Sequence, residues 1–259
     1  MGQVSPRRRI LLLSVVAAVL VAVAAVVVTR LAGGGESPVR PDQARPGTVL
    51  LVPGYGGGRT ALTRLADRLA DAGRTAKVIT LPGDGTGDLL VQADTLDQAV
   101  RAELSGGAPS VDLIGYSAGG VVTRLWVDRH DGAAVARRVV TLGSPLHGAQ
   151  IAGLGAAFAP DSCPAACRQL APGSDVLQQI DDESLPDGLP WLSLWTVNDE
   201  TVQPPESARL DGAVNVALQS ICPQARVSHG ELPTDPAVTA LVLQALRAEP
   251  LTAPTTCPG

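Results

Sequence analysis

One stretch, Ser110 to Thr123 (SVDLIGYSAGGVVT), restricts the folds open to this chain more than any other. A short apolar run, Val111, Leu113 and Ile114, ends in Gly115-Tyr116-Ser117-Ala118-Gly119-Gly120, and apolar residues at helical spacing follow. The stretch predicts a strand, a sharp turn and a helix, with Ser117 at the tip of the turn. Glycines two residues before and two after the serine are required because a side chain there would collide as strand and helix close on it. Such a turn lifts the hydroxyl out of the sheet and sets it at a helix N-terminus, where free N–H groups and the positive dipole end gather. In a chain with 28 glycines the pattern G-x-S-x-G alone says little, so its flanks and partners decide.

The flanks repeat one rhythm. Thr48–Val52 (TVLLV) is a continuous apolar run, as a strand buried on both faces requires, and it breaks into Pro53-Gly54-Tyr55-Gly56-Gly57-Gly58. Leu62, Leu65, Ala66, Leu69 and Ala72 then fall at helical spacing. A strand over Lys77–Leu81 and an amphipathic helix through Leu89, Ala93, Leu96, Val100 and Leu104 follow. After the Ser117 turn come a helix from Gly119 to about Arg129, a strand over Arg138–Leu142 and a weakly patterned segment from Ala149 to Pro190. That segment contains a short helix near Ser174–Asp181. Strands at Trp191–Val197 and Ala213–Ala217 and a helix over Pro236–Ala248 complete the chain. Alternation of this kind predicts an α/β domain with a mostly parallel sheet covered by helices on both faces. Sites in such sheets are built by loops leaving the carboxyl ends of the strands.

The N-terminus has a different character. Arg7-Arg8-Arg9 precede nineteen residues, Ile10–Val28, interrupted only by Ser14. As a helix that run is about 28 Å long, close to the ~30 Å hydrocarbon core of a bilayer. Residues 1–30 read as a signal anchor, or as a signal peptide if cut after Ala22-Val23-Ala24, with the arginines staying on the cytoplasmic side. Residues 31–46 read as a flexible Gly/Pro linker and residues 47–259 as the functional domain. The expected location is outside the cell membrane, anchored to it or secreted. Four cysteines agree with an oxidising destination. They allow three connectivities, of which the local pair Cys163–Cys167 with Cys222–Cys257 is expected. No histidine or carboxylate stands at zinc-ligand spacing from them. A net charge of −5 gives no electrostatic footprint for nucleic acid.

A serine hydroxyl needs a base to become a nucleophile, and the chain has only three histidines. His130 stands at the far end of the helix that begins at Ser117, roughly 17–20 Å away, and is expected to meet that helix C-terminus. His147 follows a neighbouring strand, as a structural or site-wall residue. His229, in the loop before the final helix, is the expected base. The orienting acid is expected at a strand end between serine and histidine. Asp199 in Asn-Asp-Glu-Thr-Val-Gln-Pro occupies that place, with Glu200 as its rival, pointing elsewhere. Two backbone N–H donors for a developing oxyanion are expected from Ala118, after the serine, and from Tyr55, after the first strand.

The motifs VLLVPGYGG, DLIGYSAGG, VVTLGSPLHG and VNDETVQP, followed by His229, resemble the bacterial lipase class 2 family of α/β-hydrolase esterases and triacylglycerol lipases. The resemblance runs from about Pro46 to Leu246. It departs at Pro53-Gly54, where the family reads His-Gly, and at Leu146-His147-Gly148. What it implies is hydrolysis of carboxylic esters through an acyl-enzyme on Ser117 and without any cofactor; lipid or other esters are the expected substrates and a monomer the expected state. An acyltransferase or thioesterase of the cell envelope would use the same residues; a non-catalytic binding module on this fold is the remaining alternative.

Overall fold

The strand–turn–helix unit around Ser117 lies inside a parallel sheet. The computed structural model describes residues 40–258, with residue 7 and residues 15–24. Among these, six strands pair in the order β2-β1-β3-β4-β5-β6: β1 Thr48–Val52, β2 Ala76–Val78, β3 Val111–Tyr116, β4 Ala136–Leu142, β5 Trp191–Trp195 and β6 Val214–Ala217. Every pairing is parallel, so the expected mostly parallel sheet is parallel throughout the described residues.

Strand residues alternate between two cores, as the period of two demands. Leu50, Val52, Val111, Leu113 and Val139 face one layer. It is formed by α2 (Leu89–Ser105) and α3 (Ala118–Arg129), through Leu96, Val121, Leu125 and Trp126. Val49, Leu51, Ile114, Val140 and Leu142 face the other, where α1 (Thr60–Asp71) supplies Leu62, Leu65 and Leu69. Both faces are covered, which is why these strands read as unbroken apolar runs. The strand expected over Lys77–Leu81 is shorter and earlier. Ile79 still donates its N–H to Leu51 O (3.0 Å) and is buried, but Pro82 ends the edge soon after.

The weakly patterned segment folds into α4 (Gln150–Phe158), α5 (Ala165–Gln169) and α6 (Asp175–Asp182). Beyond β6 come α7 (Leu218–Ile221) and α8 (Pro236–Ala245), the latter closing the second layer through Val238, Leu241 and Val242. The C-terminal end of α8 is seated on a buried cluster. Asp112, fully buried in β3, is bridged by Arg74 and by Arg137 Nη2 (2.5 Å). The same Arg137 nitrogen donates to Leu246 O (2.8 Å), and Arg138 Nη1 donates to Ala245 O (2.8 Å). Three guanidinium groups thus meet the last carbonyls and negative dipole end of a helix, where positive charge is favourable.

The chain divides into two units, Met1–Val39 and Arg40–Gly259. Within the first, residues 15–24 are helical; the flanks of the apolar run at 10–14 and 25–28, and the expected linker as far as 39, lie outside the described residues. No helix among the described residues is long and apolar enough to cross a membrane. The last part of the expected linker is held on the domain: Arg40 donates to Asp187 O (2.8 and 3.0 Å), and Gln43 Nε2 donates to Arg137 O (3.2 Å). Cys163 is joined to Cys167 and Cys222 to Cys257.

The closeness of the Ser117 turn to its neighbours can be measured. A Cβ on Gly119 would stand 2.2 Å from Val52 O, and one on Gly115 would stand 2.5 Å from Gly120 Cα. Both obstacles are backbone. Gly119→Ala is therefore expected to destabilise the fold by about 3 kcal/mol or more, read from the midpoint of denaturant unfolding.

Candidate active site

Ser117 has φ 53° and ψ −129°, a conformation that a residue with a side chain enters only when its surroundings force it. The surroundings do so: its N–H donates to Leu142 O (2.9 Å), continuing the β3–β4 ladder, while α3 begins at the next residue. The hydroxyl stands 3.0 Å from His229 Nε2, and His229 Nδ1 stands 2.6 Å from Asp199 Oδ2. Asp199 and His229 are 2% and 5% exposed, so the pair is shielded from water. Asp199 is also pinned from its other oxygen, since Oδ1 accepts from Thr201 N (2.9 Å) and Val202 N (2.7 Å). Three residues far apart in the chain therefore form one continuous hydrogen-bonded line from hydroxyl to imidazole to carboxylate.

His229 lies in a loop, and a loop needs bracing to hold a ring within tenths of an ångström. Its carbonyl accepts from Tyr116 Oη (3.2 Å), and the Tyr116 ring leans on the imidazole with centroids 5.1 Å apart. Its N–H donates to Glu200 Oε2 (3.1 Å). Glu200 therefore does not point away from the site; it grips the main chain of the histidine whose ring its neighbour orients. One residue earlier, Ser228 and Glu231 form a reciprocal capping box around the short helical turn His229–Glu231. Upstream, Thr196 Oγ1 donates to Val227 O (2.7 Å).

Gly143 is a further member. It has φ +54°, and a Cβ there would stand 3.1 Å from Asp199 Oδ2, 3.2 Å from His229 Nδ1 and 2.7 Å from Leu232 Cδ1. A side chain at this position would wedge against Asp199 and His229. Tyr116, Gly143 and the contact made by Glu200 were not apparent from the sequence. The one available signal was position: Tyr116 ends β3 beside Ser117, Gly143 follows β4, and Glu200 adjoins Asp199.

The other expected residues fall as follows. Ala118 is the first residue of α3, so its N–H lies outside the helical ladder, beside Ser117. Gly54 packs on the serine so closely that a Cβ there would be 2.9 Å from Ser117 Cβ, which brings the following Tyr55 to the same opening. The Gly54–Gly57 turn is braced by Gly57 N donating to Gly54 O (3.0 Å) and Gly56 N to Gly85 O (3.3 Å). His147 pairs with Asp181 (2.7 Å), and His130 caps α3 and pairs with Asp94 (2.9 Å). Neither contact involves Ser117.

A pocket of about 250 Å³ opens at Ser117, walled by Tyr55, Ala149, Ala152, Leu170 and Val202 among others, and its lining is mostly apolar. A larger hollow of about 540 Å³ lies between Cys222, Val227, Asp235 and Cys257, with none of Ser117, Asp199 or His229 among its walls. Among the described residues no group of His, Cys, Asp and Glu is placed to hold a metal ion.

No protein-family model matches this sequence, and no curated protein matches it. Solved structures do. Aspergillus fumigatus lipase B aligns with a TM-score of 0.65 at 20% identity, over 78% of this chain and 52% of its own. The mature form of a Bacillus licheniformis lipase aligns with a TM-score of 0.65 at 20% identity, over 81% of this chain and 96% of its own. A Bacillus anthracis bromoperoxidase aligns with a TM-score of 0.57 at 12% identity, over 78% and 92%. The chain has the α/β-hydrolase fold. It spans about half the length of the Aspergillus protein.

Burial, followed by the negative charges of Asp199 and Glu200, pushes the Tyr116 hydroxyl up to about 12 from 10.0. Below pH 10 both folded and unfolded chains keep this proton. Between pH 10 and about 12 only the unfolded chain releases it, so stability falls as pH rises through that window. The difference in unfolding midpoint between pH 9 and pH 11 is expected to be larger for the native chain than for Tyr116→Phe, which has no phenol to ionise.

Proposed function

We propose that this protein is a serine hydrolase of carboxylic esters, with Ser117 as nucleophile, His229 as general base and then acid, and Asp199 as the group that orients and charge-stabilises the imidazole. The single observation that carries the reading is the unbroken line Ser117 Oγ–His229 Nε2–His229 Nδ1–Asp199 Oδ2, at 3.0 and 2.6 Å, on a strained serine turn. Two structural relatives that are lipases by name share the fold and support the same class.

The reaction follows from the geometry. Ser117 Oγ attacks the ester carbonyl carbon while its proton passes to His229 Nε2. The carbonyl oxygen becomes an alkoxide at the opening, where the Ala118 and Tyr55 N–H groups are proposed to receive it. Collapse breaks the bond to the leaving alcohol, which takes the proton from the imidazolium, and an acyl group remains on Ser117. Water then repeats the sequence and releases the carboxylic acid. Asp199 stays ionised throughout, held by two backbone N–H groups as well as by the ring.

Lipid esters are the proposed substrates. The pocket beside Ser117 is mostly apolar, and next to it α4 turns Ile151, Leu154 and Phe158 to solvent, the last 82% exposed. The resemblance to lipase class 2 sequences points the same way.

Hydrolysis of p-nitrophenyl esters tests the assignment. Ser117→Ala and His229→Ala are each expected to lose at least ~10³-fold in kcat. Asp199→Asn is expected to lose far more than Glu200→Gln, because only Asp199 touches the ring, whereas a glutamine can still accept from the His229 N–H. Near-full activity of Asp199→Asn beside an inactive Glu200→Gln would assign the acid to Glu200.

We further propose export by the N-terminal segment, residues 1–30, with the linker ahead of Arg40 as its tether and the hydrolase outside. Two disulfides suit that destination. In the native host the enzyme is expected in the membrane fraction, accessible to external protease. Recovery from the medium with an N-terminus near Ala25 would make the segment a cleaved signal instead.

A further inference from the structure

The pocket beside Ser117 has two unlike walls. One is the Asp199 turn, through Thr201 and Val202, fixed by the bonds that hold Asp199. The other is the hairpin of α4 and α5, through Ala152, Cys167 and Leu170. The second wall combines the small Ala149 and Ala152 and the sulfur of Cys167 with the larger Ile151 and Leu170. On its inner side α4 carries Ala152, Gly153 and Gly155, while Leu154 and Phe158 turn to solvent and the partly exposed Ile151 borders the pocket mouth, so beyond its first turn side-chain interlocking does little to set its distance from α5.

The disulfide takes that role. α5 is fastened to the body of the domain, since Ala166 N donates to Thr86 O (3.1 Å) and Gln169 Oε1 accepts from Leu89 N (2.8 Å). α4 leans on the bridge at the front of α5. A Cβ added to Gly155 would stand 3.1 Å from Cys167 Sγ and 3.6 Å from Cys163 Sγ. The start of α4 is tied to the end of α5 by Ala149 N donating to Leu170 O (3.0 Å), and farther along α4 the two sulfurs form the block at Gly155; one of them lines the pocket. At about 250 Å³ the pocket lies at the small end of ligand sites, which commonly enclose ~300–1,000 Å³.

The geometry points to the Cys163–Cys167 bridge as a determinant of acyl-chain capacity, making this a hydrolase of short to medium straight-chain acyl esters. This rests on the ester-hydrolase reading above. Each methylene that enters the apolar pocket can raise kcat/KM by up to about fourfold. Past the capacity of the pocket the gain ends and the chain must lie on the surface beside Ile151 and Phe158.

The test is a kcat/KM profile for p-nitrophenyl esters from acetate to hexadecanoate, taken on the full disulfide-bonded protein and on two variants. In the native protein the profile is expected to rise, break between butyrate and dodecanoate and then fall or stay flat. In Cys163→Ala/Cys167→Ala the block is gone, and the break is expected to move to longer chains, with the ratio of dodecanoate to butyrate activity raised at least tenfold. Ala152→Phe fills the same wall and is expected to move the break to shorter chains, a direction that general loosening does not produce. An unchanged break in a folded bridge variant, with the thermal transition and fluorophosphonate labelling of Ser117 retained, would overturn the inference while leaving the hydrolase reading intact. If the bridge variant does not fold, an unchanged break in Ala152→Phe overturns it equally. No hydrolysis of any ester by the native protein would overturn the underlying reading instead.

Discussion

Everything at this site depends on a steric constraint: a strand and a helix meet at Ser117 with no space for a β-carbon on either side. Backbone oxygens and a glycine Cα stand 2.2–2.5 Å from where side chains of Gly115 and Gly119 would begin. That closeness holds Ser117 at positive φ, a conformation costing on the order of 1–3 kcal/mol that the β3–β4 ladder and α3 together impose. The strain directs the hydroxyl out of the sheet, toward the carboxyl-end loops and beside the first free N–H of a helix. A relaxed turn would leave the same serine as an ordinary surface residue.

The second requirement is that a loop histidine be held as firmly as the strand-borne serine. The structure meets it by gripping the main chain of His229 on both sides, Tyr116 at its carbonyl and Glu200 at its N–H, while Asp199 takes the ring. Each clamp comes from a residue adjacent to another site residue, Tyr116 next to Ser117 and Glu200 next to Asp199. Position is therefore transmitted over one peptide bond. Since a misplacement of ~1 Å can cost on the order of 100-fold in rate, short connections of this kind have direct chemical value. Behind the loop, α8 is seated on Asp112, Arg74, Arg137 and Arg138 at the opposite end of the sheet.

Much of this was legible in the residues. TVLLV and RVVTL are unbroken apolar runs because both faces of the sheet are covered, and the helix around Leu62, Leu65 and Leu69 has one clear stripe. Ser117, Asp199 and His229 were singled out by order and by position at strand ends. Within the segment 149–190 the helix at Asp175–Asp182 was legible, whereas α4 was not, because it inverts the usual rule. Its small residues face the protein and Ile151, Leu154 and Phe158 face water, so no buried stripe signals a helix. Glu200 was misread for a related reason: its hydrogen bond runs to a backbone N–H twenty-nine positions away, and backbone partners carry no side-chain signature. Gly143 looked like any turn glycine, since what excludes a side chain there is a pair of residues brought in from elsewhere in the chain.

The central claim is that His229 activates Ser117 in particular, and the most direct measurement is the site of covalent capture. Incubating the native protein and His229→Ala with a fluorophosphonate, then locating the adduct by peptide mass spectrometry, reads nucleophile and base together. The account predicts one adduct, on the peptide carrying Ser117, formed rapidly by the native protein and slowed at least ~10³-fold in His229→Ala although the serine is still present. An adduct on another residue, or equal labelling of Ser117 in both proteins, would contradict it.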